Sequence, residues 1–352
     1  MMKIEDFDYE LPDELIAQYP SQRREQSRLI VFRRKSGNIS ETVFSNFVNY
    51  LQPEDLLVIN DTEVIRARIL GNKRSGGAVE VFLVRRTGQR KWAALVKPSK
   101  RVREGTVIEV EEGEDIITIT GEIGRGSWEV ELGGELPEYE FIERYGHVPL
   151  PPYIKRSDED LDTRRYQTVY ADKKGSVAAP TAGLHFSEEM LSAVRRKGCT
   201  ILPVTLHIGP GTFRPLEKEK VEDNRLSSEE FRIDREYWEI IRLARRERRR
   251  VIAVGTTTTR VLESMAHGEF SGRREESEDG REYICGSTRL FIYPGFEFRA
   301  VDALLTNLHL PRSSLFLLVS AFAGRENMLR VYEWAVRRKI RFYSYGDVMF
   351  IA

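Results

Sequence analysis

Cysteine is almost missing from this 352-residue chain: Cys199 and Cys285 stand apart, with no CxxC pair. A disulfide framework and a cysteine-ligated zinc site are thereby excluded, and a reducing compartment is expected. Net charge is missing too, because 55 lysines and arginines balance 55 aspartates and glutamates. That neutrality excludes a protein that coats nucleic acid by bulk positive charge, and leaves only local basic patches for such a partner. No apolar run reaches the roughly 18 to 20 uncharged residues of a membrane helix. The best candidate, Leu315–Ala323, is far shorter and suits a buried strand. Met1–Asp6 lacks the apolar stretch of a signal peptide, so a cytoplasmic protein without membrane contact is expected. Among the five histidines there is no HxH or HxxxH pair, and a metal site is not expected. Walker and GxGxxG sequences are also absent, which argues against a nucleotide-dependent hydrolase.

What is present is enough for a sizeable, well-solvated core, at 41% hydrophobic and 31% charged residues. Leu56–Asn60 (LLVIN) is a continuous apolar run, as expected of a strand buried on both faces. Glu14–Gln18 resembles a short helix, and Lys35–Asn38 a hairpin turn after the run Leu29–Phe32. From Arg66 the texture changes to six short runs: Arg66–Leu70, Val79–Val84, Trp92–Val96, Thr106–Val110, Ile116–Thr120 and Trp128–Leu132. Even spacing, alternation and no helical period predict a small closed barrel, with a two-sheet sandwich as the competing reading. Pro149–Pro152 closes this section like a linker.

Beyond it, strands and helices alternate. Ser187–Lys197 carries an N-cap serine, acidic residues in its first turn and Gly198 after its end. Further helices are predicted at Arg235–Arg249, Thr257–His267 and Arg325–Lys339. Strands are predicted at Thr200–Leu206, Val251–Gly255, Thr288–Tyr293, Val301–Thr306, Leu315–Ala321 and Asp347–Ile351, and a loop at Ser271–Gly280. The fold class is therefore α/β, a mixed-sheet domain interrupted by an inserted six-stranded antiparallel β-barrel. Residues 1–65 are too few to close a core alone and are expected to join residues 151–352, with the barrel at 66–150.

Three histidines follow predicted strands or precede a helix: His185 in Ala178–Phe186, His207 in Thr205–Phe213 and His309 in Thr306–Pro311. An α/β fold places its ligand-binding loops there, although a hydrogen-bonded structural histidine is the plain alternative for each. His147 and His267 have no such context. Gly209–Thr212 forms a turn that exposes backbone amides, and Gly255–Arg260 (GTTTTR) follows a strand and opens a helix, a natural place for anions or ribose hydroxyls. The threonines can equally serve as a simple cap. Asp61 in Asn60–Thr62 is a candidate acid/base or ribose-binding carboxylate, or the head of an Asx turn. Tyr343–Asp347 (YSYGD) pairs aromatics with a carboxylate and can stack on a base or merely pack. Lys97–Arg103 (KPSKRVR) is the basic cluster best placed to track phosphates, since it falls in the barrel.

Together these residues resemble the S-adenosylmethionine:tRNA ribosyltransferase-isomerase family of queuosine biosynthesis. The matching segments include Leu11–Pro20, Ser27–Phe32, Val58–Gly71, Arg165–Ala171, Gly175–Leu191, Thr205–Pro215, Val251–Ser264, Leu290–Phe298, Thr306–Gly324 and Phe342–Ile351. So long an ordered series is more specific than any single motif. The resemblance breaks at Asn224–Glu229, where a His-x-Met-His-x-Glu stretch is usual and only Glu229 is kept. That departure argues against an essential role for those two histidine positions. Positioning a helix or contacting RNA are the alternatives.

The resemblance implies an α/β domain with an inserted six-stranded barrel. It also implies transfer and rearrangement of the ribosyl part of S-adenosylmethionine onto 7-aminomethyl-7-deazaguanine at the tRNA wobble position. Epoxyqueuosine-tRNA forms, and adenine and methionine leave. S-adenosylmethionine would be a co-substrate, with no prosthetic group and no metal, and the protein a monomer. The chemistry needs a base for the carbon beside the sulfonium, an acid for adenine departure and a neutral amine. His185, His207 and His309 would transfer protons or orient the nucleosides, and Asp61 and Asp347 would assist or hold ribose hydroxyls. Gly183, Gly209, Gly211, Thr212, Gly255, Thr256, Thr257, Arg260 and Asn307 would hold S-adenosylmethionine, with the Gly255–Arg260 loop on its carboxylate or on an RNA phosphate. Arg66, Arg68, Lys97, Lys100, Arg101 and Arg103 would contact tRNA from a local basic surface.

Overall fold

Fully apolar runs settle into one large sheet in a computed structural model that describes residues 2–110, 115–124, 126–213, 216–276 and 280–352. Ten strands follow the spatial order Ser271–Glu276, Glu282–Thr288, Glu229–Asp234, Thr200–Leu206, Leu56–Asn60, Val251–Val254, Ala303–Asn307, Val348–Ile351, Arg28–Arg33, Asn38–Val43. The four central ones, Thr200–Leu206 to Ala303–Asn307, run parallel. Their side chains alternate between two cores, as the pleat requires. Leu56, Val58, Val251, Ala253 and Leu304 face one core with Val261, Phe316 and Tyr332. Leu57, Ile59, Ile252, Val254 and Leu305 face the other with Phe44, Phe47, Leu191 and Val194. This two-sided burial explains why LLVIN reads as a continuous run, and Leu57→Ala is expected to cost about 2 to 5 kcal/mol.

The barrel is closed and antiparallel. Its strands are Arg68–Lys73, Ala78–Gly88, Lys91–Lys97, Val107–Val110, Asp115–Gly124 and Ser127–Leu132. Closure comes from Arg68–Lys73, which pairs with Ala78–Gly88 on one side and with Val107–Val110 on the other. Gly71 sits at this seam, where a Cβ would lie 2.6 Å from the Glu109 carbonyl oxygen. Inward residues Val81, Leu83, Trp92, Ala94, Ile117, Ile119 and Val130 fill the interior. The helix Glu138–Tyr145 adds Phe141 and Ile142 to that core, and Glu138 accepts the Trp92 Nε1 hydrogen at 2.7 Å. The barrel reading therefore displaces the sandwich.

Four local expectations are corrected. Leu315–Ala321 is not a strand but part of the helix Ser314–Ala323, started by Ser313, whose Oγ accepts the Phe316 N–H. The helix is buried nearly all round, so it has no polar stripe to reveal its period. Ser271–Gly280 is not a loop throughout: Ser271–Glu276 is the sheet's edge strand, whose charges suit an edge. Residues 277–279 of that loop lie outside the described residues. The strand predicted at Thr288–Tyr293 lies earlier, at Glu282–Thr288. Glu14–Gln18 contains only the single 3-10 turn Asp13–Leu15. Two further elements lie outside the predicted ones: the helix Glu138–Tyr145, which buries Phe141, Ile142 and Tyr145 at helical spacing, and the strand Glu229–Asp234, which buries every second residue.

Candidate active site

Chain direction gathers the candidate residues along one edge of the large sheet. The parallel strands end at Asn60, Leu206, Val254 and Asn307, so Asp61, His207, Gly255 and His309 follow at that edge. Val348–Ile351 runs against Ala303–Asn307 and alongside Arg28–Arg33, which brings Asp347 and Ser27 to the same edge. A switch in strand direction of this kind leaves a crevice for ligands.

The crevice is a cavity of about 550 Å³, walled in part by Gly255, Thr256, Thr257, Asn307, His309 and Tyr343. Gly255 has φ +93°, a conformation that glycine adopts without strain, and it starts the helix Thr256–His267. No threonine caps that helix. Thr258 and Thr259 instead donate back to the Val254 and Gly255 carbonyls, at 2.8 and 3.1 Å. Tyr153 stacks on Tyr343 with ring centres 4.1 Å apart, and its hydroxyl meets Ser344 Oγ at 2.6 Å. Tyr343 holds φ +71°, uncommon outside glycine and the kind of strain that gathers at functional sites.

Asn307 is the hub. Its Nδ2 faces the carbonyls of Tyr343 at 3.1 Å and Asp347 at 3.4 Å, which fixes it as the amide nitrogen. It also donates to His185 Nε2 at 3.1 Å, so the His185 proton sits on Nδ1, 2.6 Å from Ser27 Oγ. Oδ1 of Asn307 is buried and finds no partner among the described residues, and the same is true of the Tyr343 hydroxyl. A buried orphan acceptor costs about 1 to 3 kcal/mol unless a ligand satisfies it. His309 meets Thr306 Oγ1 through Nε2 at 2.8 Å, while Thr306 can donate to the Asn307 carbonyl at 3.3 Å. Burial pulls His309 down to about 3. His185 also falls to about 3, through burial first and then the positive charge of Arg341, Arg24 and Arg165. Both imidazoles are neutral at physiological pH.

Other candidates lie elsewhere. Gly209, Gly211 and Arg260 line a second cavity of about 300 Å³ between the sheet and the barrel, bordered by Leu315, which also borders the first. His207 lines an open groove of about 820 Å³ with Thr205, Lys173 and Arg232. Its Nδ1 meets Thr62 Oγ1 at 2.8 Å, and burial lowers its pKa. Asp61 accepts from Thr205 Oγ1 at 2.6 Å, and burial raises its pKa. Gly183 is buried against Tyr170, whose hydroxyl would lie 2.0 Å from a Cβ there. Asp347 accepts the Arg28 and Arg341 backbone N–H groups at 2.9 and 2.8 Å and the Arg341 side chain at 3.1 Å, so it clamps the loop that carries Tyr343.

On the barrel, Arg66 pairs with Glu143 at 3.1 Å, and Arg68 and Lys97 share Glu80 at 3.6 and 3.7 Å. Lys100 and Arg103 are exposed. The side chains of Thr212 and Arg101 lie outside the described residues, as do Arg214 and Pro215 of the matching segment. Among the described residues, no group of three or more His, Cys, Asp or Glu is arranged to hold a metal ion, and no helix is long and apolar enough to cross a membrane.

Sequence reasoning missed Tyr153 and the charged rim of the first cavity, where Glu5, Glu217 and Glu219 stand with Lys218 and Arg312. Ile4 N–H donates to the Glu219 carbonyl at 2.9 Å, which docks the N-terminus on that rim. A contact spanning two hundred residues leaves no local signal.

The family model described as queuosine biosynthesis protein matches residues 4–351. Two proteins named S-adenosylmethionine:tRNA ribosyltransferase-isomerase are similar over nearly all of the chain. That from Trichlorobacter lovleyi is 45% identical over 350 residues, 99% of this chain and 100% of the relative. That from Halothermothrix orenii is 45% identical over 358 residues, with the same coverage. Among solved structures, S-adenosylmethionine tRNA ribosyltransferase from Thermotoga maritima is similar at a TM-score of 0.54 and 34% identity, over 99% of this chain and 100% of that one.

Proposed function

Because the chain belongs to the queuosine biosynthesis protein family, we propose that it acts as an S-adenosylmethionine:tRNA ribosyltransferase-isomerase, the name its relatives carry. It moves and rearranges the ribosyl part of S-adenosylmethionine onto 7-aminomethyl-7-deazaguanine at the tRNA wobble position. Epoxyqueuosine-tRNA forms, and adenine and methionine are released. The observation that carries the site assignment is the cavity whose walls hold two buried, unsatisfied polar atoms, Asn307 Oδ1 and the Tyr343 hydroxyl.

Each part of that wall suits a part of S-adenosylmethionine. Glu5 and Glu217 on the mixed-charge rim offer carboxylates to a co-substrate that carries a sulfonium and an ammonium. The first-turn amides of the helix Thr256–His267 suit its carboxylate. The Tyr153–Tyr343 pair offers an aromatic face for adenine, and Asn307 Oδ1 accepts an N–H from the ligand. A pKa near 3 makes His309 and His185 weak bases at neutral pH. We therefore assign His309, which lines the cavity, to holding the nucleoside, and His185, whose two nitrogens are taken by Asn307 and Ser27, to positioning Asn307. Asp61, raised by burial, is better matched to proton transfer, although it lies off this cavity behind Thr205. Asp347 acts as a positioning residue for the Tyr343 loop. Arg66, Arg68 and Lys97–Arg103 supply phosphate contacts.

The same reading divides the chain into a discontinuous α/β domain, 1–65 and 151–352, and a barrel domain, 66–150; the separate barrel core supports it. The protein is read as a monomer, and a tRNA substrate suits the cytoplasm. The deciding experiment incubates the protein with labelled S-adenosylmethionine and tRNA bearing the deazaguanine. Adenine release that depends on both is expected, and its absence from folded protein would sink the proposal.

A further inference from the structure

The cavity between barrel and sheet has a chemistry distinct from the first. Leu226, Phe291 and Leu315 and, from the barrel, Val84, Leu95 and Ile123 give it apolar walls, interleaved with Ser127, Ser227 and Ser228. At about 300 Å³ it lies at the small end of ligand pockets, roughly 300 to 1000 Å³. Among these walls sits a buried ion pair, Arg260 with Glu229, each about 6% exposed in its side chain. Arg260 Nε donates to the Leu290 carbonyl at 3.0 Å and Nη1 to Glu229 Oε2. Nη2 is buried and finds no partner among the described residues. Glu229 Oε1 accepts the Gly209 N–H at a long 3.4 Å, and a carboxylate oxygen can accept more than one bond.

Such a pair is neutral as a unit, so it attracts a polar neutral group more than a bare anion. It presents a donor beside an acceptor, the complement of a lactam edge that shows a carbonyl oxygen next to N–H groups. Guanine-type bases carry that edge. We propose that this cavity takes the wobble base, turned out of the anticodon loop, with Arg260 Nη2 donating to its carbonyl oxygen and Glu229 accepting from its ring N–H. The apolar walls cover the faces of the ring. This rests on the reading above, in which the aminomethyl group of that base must reach S-adenosylmethionine. Leu315 borders both cavities, and Ile208 of the first adjoins Gly209 of the second. The two cavities are therefore neighbours, as transfer between their occupants requires.

The test is equilibrium binding of a short anticodon stem-loop with guanine at the wobble position, against the same RNA with 2-aminopurine there, which lacks the carbonyl oxygen. The intact protein is expected to bind the 2-aminopurine RNA about 10- to 100-fold more weakly. Arg260→Lys, which keeps a cation beside Glu229 but removes Nη2, is expected to bind both RNAs alike. Equal affinities in the unaltered protein, or full discrimination in the lysine variant, would overturn the proposal. A raised KM for S-adenosylmethionine with base discrimination intact would assign Arg260 to the methionine carboxylate and also overturn it. If Arg260→Lys does not fold, Gly209→Val serves instead. A Cβ at Gly209 meets nothing within 4 Å, so the branched side chain projects into open space. It should weaken both RNAs by about tenfold, and unchanged affinity would refute the placement. Because binding needs no turnover, absent adenine release with discrimination intact sinks only the reaction. Adenine release without discrimination sinks only the base pocket.

Discussion

His309 and His207 each follow a parallel strand of the same sheet at the same edge, yet they occupy opposite settings. His309 lines the deeper crevice, tied to Thr306 and two residues from the Asn307 hub. His207 lies in an open groove whose rim carries Lys173, Lys174, Glu230 and Arg232, and it is held by Thr62. Position in the fold alone therefore does not assign function. The face of the sheet and the closure of the site decide what a histidine can touch. The deeper crevice suits a small molecule whose polar groups must be matched one by one, and the more open groove suits structural support or contact with a polymer.

That contrast can be broken by substitution. Asn307→Ala removes the orphan acceptor and the His185 contact together, and should lower kcat/KM for S-adenosylmethionine by about 100-fold or more, equivalent to about 3 kcal/mol. His309→Ala should cost about 10- to 100-fold, and His207→Ala under about tenfold. Steady-state kinetics on folded variants checks the order, and a larger loss at His207 than at His309 would reverse the contrast.

A further difference is electrostatic. His185 and His309 have pKa values near 3 when folded, against 6.5 when free. The unfolded chain therefore binds more protons between those values, so stability is full above pH 6.5 and falls as the pH drops toward 3. The slope should reach about 1.4 kcal/mol per pH unit for each histidine. Urea denaturation of wild type and His185→Gln between pH 7 and 4 should show a shallower decline in the variant, and identical slopes would refute the cause. The smallest effect concerns the barrel. Arg66→Ala with Arg68→Ala should lower the slope of log affinity for tRNA against log salt by at most about 2. The loss should be smaller if Glu143 and Glu80 already neutralise them.

The barrel was legible because alternation repeats in it with even spacing, and all six runs fall within observed strands or overlap them. The central sheet was legible where burial on both faces leaves no polar residue, as in Leu56–Asn60. The run Leu315–Ala321 was not, because a helix surrounded by core and a buried strand look alike over seven residues. Glycine and threonine at Gly255–Thr257 were legible as a strand-to-helix turn. Their meeting with Tyr153 and Glu217 was not, because packing between distant segments leaves no periodic trace. Arg260 was read as part of the same loop as Gly255, yet one further turn of helix carries it to the other cavity.

The position of the first and last strands sets a timetable for folding on the ribosome. Arg28–Arg33 is among the earliest segments made, yet one of its neighbours is Val348–Ile351, the last strand of the chain. Leu56–Asn60 likewise lies between Thr200–Leu206 and Val251–Val254. The barrel pairs only residues 68 to 147 with one another, so it can close while synthesis continues. The strand Arg28–Arg33 must wait beside a finished barrel until Val348–Ile351 has been made. Removing Val348–Ile351 would thus detach the hairpin Arg28–Val43 from the rest of the sheet.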